Sequence, residues 1–368
     1  MSDTNNLFKF ATKELSQDAV ICWILNWLNF PDSDLYGLGK QFFSVINDSE
    51  LDKGEKIVVH QQKESADIVV VVPSQQKIII IEDKVYSSEH DNQIETYKNR
   101  FNEIGKQKEV LGIQTETPYC VKTVYLKTGF FYDNDKLVKA DYIVDGKLFY
   151  NIVSNPEYQG KSEILDCFVQ HLKGLLEWYD NHGNITGRYD DGGYHLSWEH
   201  YAQYRLMRFV FPEKMWDGVS QPYKVYSDSS SGRPWTEMDV APAFNYIDSD
   251  DKFTLFWRID SATKGPYLSF RLYEWFDKTD EKKRNRHIDC YNKLKEICEE
   301  TVNSENDIGI FWKDVNDGYR GNYYESALFT IYLAPYLEKW DEVSDKLADY
   351  VRRITSEIMD KISDIAFG

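Results

Sequence analysis

The chain has little of what marks membrane, zinc-binding or nucleotide-hydrolysing proteins. No apolar run in its 368 residues approaches the roughly 18–20 residues of a membrane span, and the first residues lack the pattern of a signal peptide. Its five cysteines are scattered without a Cys-x-x-Cys pair, which argues against a structural zinc site and favours reduced thiols. The serine-rich stretch 227–234 is not a phosphate-binding Gly-x-x-x-x-Gly-Lys-Ser/Thr loop. We therefore expect a cytoplasmic protein with no membrane partner and no use of nucleoside triphosphates.

Basic residues are outnumbered by acidic ones. The chain has 43 Lys+Arg against 61 Asp+Glu and a formal net charge of −18, which on its own argues against a nucleic-acid partner. Residues 98–127 and 258–295 are locally basic. In the second of these, strand alternation places Arg258 and Arg271 opposite the apolar face, where they predict a basic, partly aromatic surface.

Aromatic residues are plentiful, with 26 Tyr, 20 Phe and 10 Trp. A chain of this length and composition buries a sizeable core, so global disorder is excluded. Residues 1–185 combine amphipathic helices with apolar strands, which predicts an α/β unit. The Gly- and Asn-rich stretch 182–193 is the predicted boundary. Residues 194–368 predict a separate α+β region that ends in a long helix over 323–364.

Two apolar strands, 66–72 and 77–84, flank a short stretch of turn composition. Both strands are continuous apolar blocks, which is typical of central strands covered by helices on both faces. A turn centred between Ser74 and Gln75 makes the two strands a hairpin whose register places residue 67 opposite residue 82.

That register gathers three charged side chains at one end of the sheet. Asp67 lies opposite Glu82, and cross-strand pairs are roughly 4.5–5.5 Å apart. Lys84 shares the face of Glu82, whereas Asp83 points to the other face. Two facing carboxylates repel each other and are costly to desolvate, and a bound Mg²⁺ relieves both costs. The alternative is an ordinary strand end at the solvent, with a modest Asp67–Lys84 ion pair.

Two further features favour the metal interpretation. Gln93 and Tyr97 lie four residues apart, on one face of a helix expected over 89–104 with Ser88 as its N-cap. The short connection brings that face near the strand end, where a glutamine can hydrogen-bond a metal-bound water, a lysine or a phosphate. Glu14 lies just before the first amphipathic helix.

Taken together, these residues resemble the PD-(D/E)XK nuclease superfamily, and more specifically a bacterial family with a RecB-like QxxxY motif. The resemblance covers about residues 7–130 and rests on the stretches FATKELSQDA, ADIVVVV, IIIIEDK and EHDNQIETY. Ala66 stands where the motif name has Pro, a position that varies widely and has no direct chemistry. Position by position, the resemblance makes Asp67 the motif Asp, Glu82 the (D/E) and Lys84 the K. It makes Gln93 and Tyr97 the QxxxY pair and Glu14 the acid of the N-terminal helix.

The resemblance implies a restriction-endonuclease-like α/β fold for residues 1–185, with a core of four mixed strands flanked by helices. It also implies a nuclease that hydrolyses phosphodiester bonds, in DNA, by means of water. Mg²⁺ (or Mn²⁺) would be held by Asp67, Glu82 and the backbone carbonyl of Asp83, and Lys84 would assist the attacking water. Defence against foreign DNA and DNA repair are roles typical of such families.

The sequence leaves alternatives open. An inactive nuclease-fold module, acting as a binding or regulatory protein, fits the acidity of the chain. Residues 194–368 could then form the partner surface, or they could bind the substrate of an active enzyme. RNA stays open as a substrate, and the last helix leaves a homo-oligomer open. For an active enzyme, the net charge predicts weak, salt-sensitive, Mg²⁺-dependent binding.

Overall fold

A computed structural model describes most of the chain, which divides into two compact units: residues 1–131 with 135–182, and residues 132–134 with 183–368. The stretch 182–193, predicted as the boundary, lies outside the described residues. The residues that the structure describes are 6–11, 14–89, 92–114, 116–181, 196–212, 225–230, 233–240, 244–247, 250–262, 265–277, 279–302, 310–312, 319–320, 323–333, 336, 339–363, 365 and 367.

The first unit is built on a mixed sheet. Within its described residues the strands are ordered β1-β2-β3-β4-β5. The pairs β1–β2 and β2–β3 are antiparallel, whereas β3–β4 and β4–β5 are parallel. This makes five strands, one more than the four that the resemblance implied. Their bounds are β1 (Val58–Lys63), β2 (Ala66–Val72), β3 (Lys77–Lys84), β4 (Cys120–Lys127) and β5 (Tyr142–Asp145).

Helices cover both faces of this sheet. Residues of α1, α2, α5 and α6 share one hydrophobic core with alternate residues of β2, β3 and β4. Residues of α3 and α4 pack on the opposite face. Strands β2 and β3 are accordingly buried on both faces, and the predicted α/β fold class is confirmed. The helices are α1 (Glu14–Asn26), α2 (Tyr36–Ile46), α3 (Gln93–Asn102), α4 (Ile104–Leu111), α5 (Gly146–Val153) and α6 (Glu163–Asn181).

The second unit combines three helices with a second sheet in its described residues. All of the described strand pairs in this sheet are antiparallel, which gives the α+β region that the sequence predicts. The helices are α7 (Leu196–Val210), α8 (Glu281–Thr301) and α9 (Trp340–Ser363). The strands are β6 (Val225–Ser230), β7 (Arg233–Asp239), β8 (Phe244–Asn245), β9 (Lys252–Ala262), β10 (Gly265–Trp275), β11 (Ile310–Trp312), β12 (Tyr319–Arg320) and β13 (Tyr323–Tyr332).

Two predicted helices are wrong in part. The stretch 323–364 is not one helix, because its first ten residues form β13 and pair with β10. Short apolar and aromatic runs suit either structure, and pairing with the sheet decides between them. The helix expected over 89–104 begins only at Gln93, so Ser88 is not its N-cap. The hydroxyl of Ser88 instead accepts a hydrogen bond from Lys127 Nζ at 3.2 Å.

The two arginines of the second sheet do not form a basic surface. Arg271 Nη2 lies 2.6 Å from Asp260 Oδ2, and Arg258 Nε lies 3.1 Å from Asp260 Oδ1. Both guanidinium groups also contact Glu325. Arg258 Nη1 lies 3.8 Å from Glu237 Oε2. Carboxylates therefore offset the positive charge of both arginines.

Replacing Glu237 with glutamine should raise the free energy of unfolding at pH 8. Burial is the main cause that raises the pKa of Glu237 to about 7. A carboxyl whose pKa is raised by folding stabilises the protein below its ordinary pKa, and this contribution disappears as the pH rises through about 7. We expect a gain of about 1–2 kcal/mol at pH 8 after solvent screening, and little change at pH 4.

Urea unfolding at the two pH values measures this gain. Arg258 keeps its contacts with Asp260 and Glu325 in the variant, so its own pairing is preserved. The exposed Glu296→Gln change on α8 is the matched control and should leave the free energy unchanged at both pH values. A Glu237→Gln protein that is less stable than wild type at pH 8 would contradict the prediction.

Candidate active site

The hairpin of β2 and β3 has the register that the sequence predicts. Ile68 pairs with Ile81, and Val72 pairs with Lys77 across the turn. The turn ends at Gln76, whose φ of 48° lies in the left-handed region. Continued by one residue, the register sets residue 67 of β2 opposite residue 82 of β3.

Three charged side chains meet at this end of the hairpin. Lys84 Nζ lies 2.5 Å from Glu82 Oε1 and 4.0 Å from Asp67 Oδ2. Glu82 is only 1% exposed. Its burial raises its pKa to about 7, although the neighbouring Lys84 acts in the opposite direction. The second carboxylate oxygen of Glu82 is buried without a hydrogen-bond partner.

Asp67 is held in place by two donors. Its Oδ2 accepts a hydrogen bond from the backbone N–H of Asp83 at 3.0 Å, and its Oδ1 accepts one from Gln62 Nε2 at 3.2 Å. In an extended strand, the N–H and C=O of one residue point toward the same neighbour. The backbone carbonyl of Asp83 therefore faces the side on which Asp67 lies.

The start of α3 adds two polar side chains on the same face of the sheet. Gln93 Nε2 donates to Tyr97 Oη at 3.4 Å, and the Oε1 atom of Gln93 is buried without a partner. Burial raises the pKa of Tyr97, and the charges of Glu82 and Asp67 raise it further. Tyr97 thus lies near enough to the two carboxylates for their charges to act on it, and Gln93 hydrogen-bonds to Tyr97.

Glu14 occupies a different position from the other predicted site residues. Its Oε1 accepts hydrogen bonds from the backbone N–H of Val85 at 3.0 Å and from Ser87 Oγ at 3.3 Å. These contacts fix the chain where it leaves β3. Glu14 therefore holds the residues next to Lys84 rather than contacting Asp67 or Glu82 in this structure.

Sequence comparison decides the family. The sequence profile of the PD-(D/E)XK nuclease superfamily matches residues 5–190. The chain belongs to this superfamily. Its members are in general nucleases that hydrolyse phosphodiester bonds. The chain has no significant match among curated proteins or solved structures.

This PD-(D/E)XK protein has a second pair of carboxyl groups, Asp18 and Asp83, on the α1 face of β3. The sequence did not predict this pair. The side chain of Asp83 is fully buried and accepts a hydrogen bond from Gln17 Nε2 at 2.7 Å. Burial raises the pKa of Asp18 to about 6 and that of Asp83 well above its ordinary value, and the negative charge of Asp18 raises the pKa of Asp83 further. Residues 14, 17 and 18 lie on one face of α1, and this helical spacing was the available signal.

A buried ion pair on β4 is a further feature that the sequence did not reveal. Lys127 is aligned with Lys84 in the parallel β3–β4 ladder, so both lie on the α3 face. Its Nζ lies 2.6 Å from Asp135 Oδ2, and both side chains are fully buried. Tyr125 Oη donates to the other carboxylate oxygen of Asp135, also at 2.6 Å.

Lysines of the locally basic stretch 98–127 are also paired. Lys98 Nζ lies 2.9 Å and Lys122 Nζ lies 3.8 Å from the carboxylate of Asp141. Lys108 lies 3.4 Å from Glu116. Such surface pairs are weak and screened by salt. The paired carboxylates reduce the positive charge that the sequence of residues 98–127 indicates on its own.

The donors at the hairpin end fit a hard divalent cation. Asp67 and Glu82 supply two carboxylates, and the buried Oε2 of Glu82 has no hydrogen-bond partner. The backbone carbonyl of Asp83 faces the side on which Asp67 lies. The described part of the chain has no group of three or more His, Cys, Asp or Glu side chains suited to a metal. Mg²⁺ commonly uses one or two carboxylates, waters and substrate phosphates, whereas structural zinc sites use four protein ligands.

Among the described residues, no helix combines the length needed to cross a bilayer with a sufficiently apolar composition.

Proposed function

We propose that this PD-(D/E)XK protein is a Mg²⁺- or Mn²⁺-dependent nuclease that hydrolyses phosphodiester bonds in DNA. The observation that supports this most directly is the buried Glu82 carboxylate. It lies beside Lys84 and near Asp67, and its second oxygen has no partner. Leaving a buried carboxylate oxygen unsatisfied costs free energy. A cation at this position would offset that cost.

Each side chain has a role in this proposal. Asp67, Glu82 and the Asp83 carbonyl hold the cation, which when bound lowers the pKa of water and offsets negative charge on phosphate. The ammonium of Lys84 orients the attacking water and stabilises the negative charge that develops during hydrolysis. Gln93 and Tyr97 orient the phosphate from α3.

The wider setting is also part of the proposal. The acidic charge of the chain and the paired lysines predict weak, salt-sensitive binding that depends on Mg²⁺. The second unit contributes binding of substrate or of a partner. The described cysteines are all free thiols, in keeping with a cytoplasmic location. Defence against foreign DNA or DNA repair is the proposed role.

Replacing Lys84 with alanine should abolish DNA cleavage. The loss should be on the order of 10²–10³-fold, because one charged donor at a developing negative charge contributes that much. The assay uses the full chain with single-stranded, duplex and branched DNA, with Mg²⁺, with Mn²⁺ and with a chelator. RNA of the same sequence is a parallel substrate.

The matched control is Lys77→Ala, at the opposite end of β3. Lys77 is half-buried and contacts Asp48, far along the strand from Glu82. This variant should keep the wild-type rate. Cleavage that persists in Lys84→Ala would overturn the site assignment. A wild-type chain that neither binds Mn²⁺ nor cleaves would instead support the inactive binding module.

A further inference from the structure

A chain of hydrogen bonds at the end of β2 joins the two faces of the sheet. Gln62 Nε2 donates both to Asp67 Oδ1 and to Asp18 Oδ2, each at 3.2 Å. On the α1 face, the side chain of Asp83 accepts a hydrogen bond from Gln17, the neighbour of Asp18, at 2.7 Å. The backbone N–H of Asp83 donates to Asp67 Oδ2 on the α3 face at 3.0 Å. Through Gln62, the carboxylate at the candidate metal site is thus connected to helix α1.

Gln62 is the connecting residue of this chain of hydrogen bonds. In the β1–β2 ladder, Gln61 pairs with Ile68 and Lys63 pairs with Ala66, so Gln62 lies opposite Asp67. The backbone of Gln62 has a φ of 52°, which is uncommon for a residue other than glycine. In this conformation, the two N–H groups of the Gln62 side-chain amide reach carboxylates on two different elements, Asp67 on β2 and Asp18 on α1.

We propose that Gln62 is a positioning residue that orients Asp67 for metal binding. With Gln62 on one oxygen and the Asp83 N–H on the other, the Asp67 carboxylate is fixed in one rotation about its Cβ–Cγ bond. Asp67 Oδ2, which accepts from the Asp83 N–H, also lies 4.0 Å from the ammonium of Lys84 that contacts Glu82. Partners that orient a metal ligand in this way typically change metal affinity 10–100-fold when removed. The inference rests on the proposed metal site at Asp67 and Glu82.

Two substitutions remove the amide in different ways. Gln62→Met keeps the size of the side chain but cannot donate a hydrogen bond. Gln62→Gly removes the side chain and suits the positive φ, so it preserves the backbone without strain. The neighbouring Gln61 is exposed and donates to the Leu15 carbonyl at 3.1 Å. Gln61→Met is therefore the matched control.

The measurement is calorimetric titration of the full chain with Mn²⁺ alone, accompanied by thermal unfolding without metal. Both Gln62 variants should bind Mn²⁺ about 10–100-fold more weakly than wild type, while Gln61→Met should bind normally. In the cleavage assay, the Gln62 variants should need more Mg²⁺ for half-maximal activity. Their rate should recover at saturating Mg²⁺, which loss of folded protein would not produce.

The outcomes separate the two proposals. If wild type binds Mn²⁺ and cleaves DNA, and both Gln62 variants bind Mn²⁺ as tightly, the positioning role is wrong and the nuclease proposal stands. Equal weakening by Gln61→Met would also overturn the role of Gln62. If wild type binds no Mn²⁺, the proposed metal site fails and the positioning role fails with it.

Discussion

Replacing Glu82 with glutamine should abolish divalent-dependent cleavage and at the same time stabilise the protein at pH 8. The neutral amide cannot replace an anionic metal ligand. Loss of several kcal/mol of transition-state stabilisation corresponds to a decrease on the order of 10³-fold in rate. Calorimetry with Mn²⁺ should show the matching loss of metal binding.

The gain in stability follows from the burial of Glu82. Because its folded pKa of about 7 is above the ordinary value, its contribution to stability is full at low pH and disappears as the pH rises through about 7. Removing the charge should therefore raise the free energy of unfolding at pH 8, in the absence of metal. Lys84 keeps Asp67 as a neighbour, at 4.0 Å.

Opposite changes in activity and stability would identify Glu82 as a residue retained for function rather than for folding. The exposed Glu64→Gln change in the β1–β2 turn is the control and should alter neither quantity. A Glu82→Gln protein that cleaves DNA at the wild-type rate would contradict the assignment of Glu82 as a metal ligand.

Replacing Asp135 with alanine should lower the free energy of unfolding by about 3–5 kcal/mol. This is the usual cost of leaving one partner of a buried ion pair uncompensated. Lys127 would lose a carboxylate 2.6 Å from its ammonium, and Tyr125 would lose its hydrogen-bond acceptor. Burial already lowers the pKa of Lys127, so the isolated ammonium would be strongly disfavoured. Urea unfolding measures the loss.

A double variant and a surface pair make this prediction specific. Asp135→Leu combined with Lys127→Met replaces the whole pair by apolar side chains and should be less destabilising than Asp135→Ala. Glu116→Ala removes the partner of an exposed pair with Lys108 and should change stability by no more than about 1 kcal/mol. If Asp135→Ala lowered the free energy of unfolding by less than about 1 kcal/mol, the prediction would be contradicted.

The hairpin and the fold class could be predicted from the sequence because local rules determine them. Continuous apolar strands indicate burial on both faces, and the turn position fixes the register of every pair, including Ile68 with Ile81. The position of Gln93 and Tyr97 on one face of a helix was predictable for the same reason, since that helix follows the motif strand after a short connection.

The residues that the sequence did not reveal depend on contacts between distant elements. Gln17 and Asp18 reach Asp83 only because α1 packs on the reverse face of β3. Asp135 meets Lys127 through the path of an irregular loop. Likewise, Tyr323–Tyr332 becomes a strand because β10 offers a pairing edge. Periodicity along the chain does not specify such contacts.

The central claim is a divalent-cation site between Asp67 and Glu82. The most direct test is the anomalous scattering of crystals of the full chain soaked in Mn²⁺, with Glu82→Gln crystals as the control. We predict an anomalous peak within coordination distance of both carboxylates and of the Asp83 carbonyl, and its loss in the variant. Crystals with no peak there, or with an equal peak in Glu82→Gln, would contradict it.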